Sequence, residues 1–161
     1  MFPISHFNIT RTPFYYYDKT LLSNTLAKLI RLAGERNYHV HYAVKANANP
    51  EILKLIAASG IGADCVSGGE IKAALEAGFP AKKIVFAGVG KADWEIEYAL
   101  EKKIFCFNVE SAEELSVIEE LAKKKENIAS IALRINPNID AHTHEYITTG
   151  LSENKFGIPI E

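Results

Sequence analysis

Five short apolar runs, near residues 40–44, 62–66, 84–87, 105–109 and 128–135, recur about every 20 to 25 residues, and a helical pattern fills each interval between them. Such alternation restricts the chain to a parallel sheet with right-handed crossovers. The helical patterns lie near residues 50–59, 69–77, 94–102 and 112–124, the last with Leu115, Ile118, Leu121 and Ala122 on one face. Local punctuation agrees. Asn49-Pro50 gives a cap followed by proline at the first helical position. Gly60 and Gly78 are placed to end helices, and Ser67-Gly-Gly-Glu70 and Ser111-Ala-Glu-Glu114 have capping-box spacing. Upstream, Leu22, Leu26, Leu29, Ile30 and Ala33 predict a helix over 19–35 with Asp18 as its cap, and the aromatic run 12–17 predicts a short strand. There is no low-complexity linker and no internal domain boundary.

A closed (β/α)8 barrel needs eight strands and typically ~250 residues. With 161 residues and five strands, the chain is either a small open α/β sheet or the first part of a barrel. The final run Phe156-Gly-Ile-Pro-Ile-Glu161 reads as a link into a further helix and favours the barrel. A formal net charge of −2 gives no reason to expect nucleic acid or an anionic membrane as partner. Lys123-Lys124-Lys125 is balanced by Glu113, Glu114, Glu119 and Glu120 and reads as a solvated last turn of a helix. Cys65 and Cys106 stand in apolar segments, as buried thiols of a reducing compartment do. The N-terminal residues show neither a basic n-region nor a long apolar stretch, so the expectation is a cytoplasmic protein without signal peptide or transmembrane helix.

In a parallel α/β fold the C-terminal ends of the strands converge on one face, where such folds place their chemistry. Here those ends supply Lys45, the segment Asp64–Glu70, Gly88-Val-Gly-Lys91, Asn108 with Glu110, and Arg134 with Asn136. A lysine amine at such a site forms a Schiff base when its pKa is lowered, although a lysine at a strand end is ordinarily a solvated terminator. Asp64 and Arg134 lie within apolar strands and need partners, which a structural ion pair satisfies as well as a functional site does. Gly88-x-Gly90-Lys91 is followed by Ala92, so it is not a Walker loop, and no G-x-G-x-x-G occurs. His142-Thr-His-Glu145 lacks the spacing of a zinc motif.

These residues also carry a family resemblance. Tyr42-Ala-Val-Lys-Ala-Asn47 resembles the cofactor-lysine motif of pyridoxal-phosphate enzymes with an alanine-racemase-like barrel. Asp64-Cys-Val-Ser-Gly-Gly-Glu70 resembles the second-strand motif of their amino-acid decarboxylase branch. Asn108-Val-Glu-Ser111 and Leu133-Arg-Ile-Asn-Pro137 match the next two blocks. His142–Gly150, followed by Lys155-Phe-Gly157, is similar to the diaminopimelate decarboxylase family in particular.

The resemblance implies an α/β fold comprising about five of the eight strands of a pyridoxal-phosphate-binding (β/α)8 TIM-type barrel. The remaining barrel half and a C-terminal β-domain are expected to lie outside residues 1–161. It implies pyridoxal 5'-phosphate as cofactor, a small amino acid as substrate, and a homodimer when complete. Lys45 would hold the cofactor as a Schiff base, Asp64 would lie beside it, and Arg134 would sit beneath the cofactor ring. Glu70 is placed as a helix cap, and Lys155 near the subunit interface. The reaction implied is decarboxylation of meso-2,6-diaminopimelate to L-lysine and CO2. The family's phosphate loop, ring-stacking histidine and substrate arginine fall beyond the last residue, so these residues alone are expected to be inactive. The alternatives are a decarboxylase of ornithine, arginine or carboxynorspermidine, a non-catalytic pyridoxal-phosphate-binding barrel, or an open α/β interaction domain in which Lys45 is an ordinary strand end.

Overall fold

In the three middle strands of the sheet, buried positions flank a less buried one. A computed structural model of the chain describes residues 3–137 and 156–159. Strands β1 (His41–Ala43), β2 (Gly62–Cys65), β3 (Ile84–Phe86), β4 (Cys106–Val109) and β5 (Ile131–Leu133) make one parallel sheet in the order β1-β2-β3-β4-β5. Helices α3 (Pro50–Ala58), α4 (Gly68–Ala77), α5 (Asp93–Lys102) and α6 (Ala112–Lys124) form the crossovers. Successive crossover helices pack on one another and cover one face of the sheet. The helix-facing positions Ala63, Cys65, Ile84, Phe86, Phe107 and Val109 are buried against Leu53, Ile56, Ile71, Ile96 and Ile118. The pairings align Ala43, Asp64, Val85 and Cys106 as one row on the opposite face, the side that a closed barrel turns inward.

The helix signals behave as expected. Asp18 accepts from the Leu21 N–H at 2.9 Å and opens α2 (Lys19–Gly34), while α1 (Ile4–Phe7) is a single short turn. Asn49 caps α3 with Pro50 following, and Gly60 and Gly78 take positive φ at the ends of α3 and α4. Both serine caps form, while the carboxylates of Glu70 and Glu114 reach one residue further back, to the Val66 and Glu110 N–H groups. Ser67 accepts from the Glu70 N–H at 3.2 Å, and Ser111 from the Glu114 N–H at 3.1 Å.

Two expectations are corrected. Residues 12–17 are not a strand among the described residues. Their rings are exposed or lean on Phe7, with Phe14 and Tyr16 centroids 5.4 and 5.1 Å away, and an aromatic run without a neighbouring ladder has no sheet to join. The predicted strand 128–135 is shorter and divided. After β5 the chain changes neighbour at Arg134, and β6 (Ile135–Asn136) pairs in parallel with β7 (Ile158–Pro159). Within the final run, Ile158–Pro159 is a further parallel strand, and what that run leads into lies outside the described residues. The Arg134 N–H donates to Val109 O at 2.9 Å, while its carbonyl accepts from the Ile158 N–H at 2.7 Å, so one residue joins the two ladders. The block His142–Gly150 and Lys155 lie outside the described residues.

Candidate active site

Lys45 does not end the strand directly. It is the middle residue of a 3-10 turn, Val44–Ala46, that follows β1. Val44 is buried and anchors the turn, while Lys45 is exposed. Asn47 fixes the far side of the turn. Its Oδ1 accepts from the Asn49 N–H at 2.9 Å, its amide donates to the Tyr17 hydroxyl at 3.1 Å, and its carbonyl accepts from the Tyr42 hydroxyl at 3.1 Å. An amine held on a braced turn at the C-terminal end of a parallel strand is accessible to a carbonyl ligand.

Asp64 lies beside it, because β1–β2 pairing aligns Ala43 with Asp64. Burial pushes the Asp64 carboxyl up, and the charges of Lys45 and His41 pull it back down. Its Oδ1 is buried without a hydrogen-bond partner among the described residues. Burial lowers the His41 imidazole, against the opposing pull of Asp64. A buried orphan acceptor next to an exposed amine fits a site that a polar ligand completes.

Arg134 stands at the same end of the sheet, beyond β3 and β4, and its ion-pair partner is Glu110 rather than Asp64. Its Nη1 donates to Glu110 Oε1 and Oε2 at 3.0 and 3.1 Å, and its guanidinium carbon lies 5.4 Å from the Phe156 ring centroid. The Glu110 side chain is 4% exposed and that of Arg134 43%. The β4–β5 pairing of Val109 with Leu133 brings Glu110 level with Arg134.

Glu70 is a cap, its carboxylate accepting from the Val66 N–H at 2.8 Å. Lys91 is structural rather than a phosphate ligand. Its buried amine donates to Gly88 O at 2.6 Å, to Asn108 O at 2.9 Å and to the Glu114 carboxylate. The pairings Glu110–Arg134 and Lys91–Glu114 escaped the sequence reading, yet they had a signal: separations of 24 and 23 residues are one βα repeat. No group of three or more potential metal ligands occurs among the described residues. A cavity of about 400 Å³, lined by Ile30, Tyr38, His41, Ile61, Lys83 and Phe105, opens at the N-terminal ends of the strands, away from Lys45.

The family model of the pyridoxal-dependent decarboxylases, pyridoxal binding domain, matches residues 23–161. The chain belongs to this family. Within it, the chain is 62% identical to the diaminopimelate decarboxylase of Bacteroides thetaiotaomicron over its whole length, which is 42% of that relative. It superposes on a point mutant of diaminopimelate decarboxylase from Helicobacter pylori, complexed with L-lysine, with a TM-score of 0.89 at 47% identity, covering 97% of this chain and 40% of that one. For diaminopimelate decarboxylase from M. jannaschii, also in complex with L-lysine, the TM-score is 0.87 at 40% identity, covering 98% and 38%. The α/β architecture is therefore the N-terminal barrel portion of the family fold, and the chain spans about 40% of the length of these relatives. No helix among the described residues is long and apolar enough to cross a membrane.

Proposed function

We propose that this chain forms the cofactor-lysine part of a pyridoxal-phosphate-dependent decarboxylase that converts meso-2,6-diaminopimelate to L-lysine and CO2. The observation that carries the reading is the exposed Lys45 amine on its braced turn, next to the orphaned oxygen of Asp64. The 62% identity to a diaminopimelate decarboxylase supports the choice of substrate. Pyridoxal phosphate, when bound, supplies the sink for the electrons released as CO2 departs. Lys45 would hold the cofactor through its exposed amine. Asp64 would lie beside it with an acceptor oxygen, and Arg134 would present the nitrogens that bond no described residue. In this reading residues 1–161 form part of a barrel, the complete enzyme is a cytoplasmic homodimer, and its ligands are small amino acids rather than nucleic acid or membrane.

Borohydride reduction of the protein mixed with pyridoxal phosphate, followed by peptide mapping, tests the cofactor assignment. The label is expected on Lys45 of the full-length polypeptide. Label elsewhere, with none on Lys45, removes the reading. A panel of diaminopimelate, ornithine, arginine and carboxynorspermidine tests the substrate, with turnover expected for diaminopimelate alone. Residues 1–161 by themselves are expected to show no turnover, and activity in that preparation contradicts the partial-barrel assignment.

A further inference from the structure

Among the described residues, Arg134 is held from one side only. The partly exposed guanidinium commits Nη1 to a carboxylate that is itself buried, whereas Nε and Nη2 donate to no described residue. The carboxylate is fixed in turn. The Glu110 N–H donates to Glu114 Oε2 at 2.7 Å, and the second Glu114 oxygen accepts from the buried Lys91 amine, which also donates to Asn108 O. The C-terminal end of β4 is thereby clamped at both Asn108 and Glu110. The Arg134 backbone is held just as firmly, between Val109 and Ile158. An ion pair serving packing alone has no need of an arginine side chain that stays 43% exposed and commits only Nη1 among the described residues.

We propose that Glu110 is a positioning residue for Arg134, aiming the free edge of the guanidinium at the cofactor bound through Lys45. This rests on the role given to Arg134 above. Preorganisation of this kind removes the rotameric cost of fixing a long side chain when ligand binds. Lys91 and Glu114 extend the support, holding the backbone from which Glu110 projects.

The test uses the full-length polypeptide with Glu110→Gln, Glu110→Asp, Arg134→Lys and the double variant that combines Glu110→Gln with Arg134→Lys. Cofactor affinity and its pH dependence are read from the visible absorbance of bound pyridoxal phosphate, and stability from the urea midpoint of the apo-protein. Glu110→Gln and Arg134→Lys are each expected to weaken cofactor binding about ten- to a hundredfold. The double variant is expected to bind no more weakly than the poorer single, and Glu110→Asp to show an intermediate loss. A loss with Arg134→Lys but none with Glu110→Gln overturns the proposal and leaves the role of Arg134 standing. No change in either variant removes that role and the proposal with it. A lowered urea midpoint in Glu110→Gln with wild-type affinity and absorbance reduces Glu110 to a structural ion and also overturns it. If Glu110→Gln does not fold, Glu110→Asp decides alone, and wild-type affinity in that variant is the overturning result.

Discussion

Asp64 combines the two demands that meet at the strand ends. Its carboxyl is raised chiefly by burial, so the folded state holds its proton more tightly than the unfolded chain does. The corresponding stability is fully present below the ordinary value of 3.8 and is lost as pH rises through the folded pKa. Asp64→Asn cannot ionise. In the apo-protein it is expected to raise the melting temperature at pH 7 and to leave it close to wild type near pH 3. Thermal melts across that range check this, and a difference that does not vary with pH excludes the account. On the proposed reading, function supplies the reason to keep a destabilising carboxylate there: beside Lys45 it offers an acceptor to an incoming ligand.

Among the elements, the junction between β5, β6 and β7 is the most demanding. Gly157 has φ +95°, and a Cβ there would stand 2.8 Å from the Arg134 carbonyl oxygen that accepts from Ile158. Gly157→Ala is expected to cost about 1–2 kcal/mol for the left-handed backbone alone. It also forces apart the contact that starts β7. Amide exchange offers a local readout: Ile158 is expected to lose protection while the β2–β4 amides keep theirs, and an unchanged Ile158 contradicts the expectation.

The same junction marks how far the sequence was legible. The helices and their caps were readable because Asp18, Asn49, Ser67 and Ser111 act through neighbours a few residues away. The five parallel strands were readable from their spacing, and Lys45, Asp64 and Arg134 do stand at the strand ends. The division of the fifth strand at Arg134 was not, since it depends on a partner more than twenty residues away. The aromatic run 12–17 misled for the same reason: strand propensity expresses itself only where a ladder is available. Tyr17 instead braces the turn of Lys45 through Asn47.

At the scale of the whole molecule, the crossover helices cover one side of the sheet and leave the other to the barrel interior. The thiols report the two sides separately. Cys65 belongs to the helix-covered core, and its thiol is pushed up to about 12, chiefly by burial and further by Glu70 and Asp64. Cys106 lies in the row facing away from the helices, and burial raises it as well. Both are free and buried. Alkylation of native chain at neutral pH is expected to modify Cys106 before Cys65, with Cys65 reacting only at the rate of global unfolding. Mass spectrometry of timed samples distinguishes the sites. Rapid modification of Cys65 means that the helix layer opens without unfolding the sheet.

The ties at the strand ends also have a direction. The Glu95 carboxylate accepts from the Gly68 N–H at 2.6 Å, Glu114 binds Lys91, and Arg134 binds Glu110, with separations of 27, 23 and 24 residues. In each case the later partner fastens its own βα unit to the one made just before it. None of these ties waits longer than about one βα repeat for its second partner. On a ribosome, where the chain emerges N-terminus first at roughly 5–20 residues per second, each unit therefore finds its anchor already outside the exit tunnel, and the barrel wall can be assembled in the order in which it is translated.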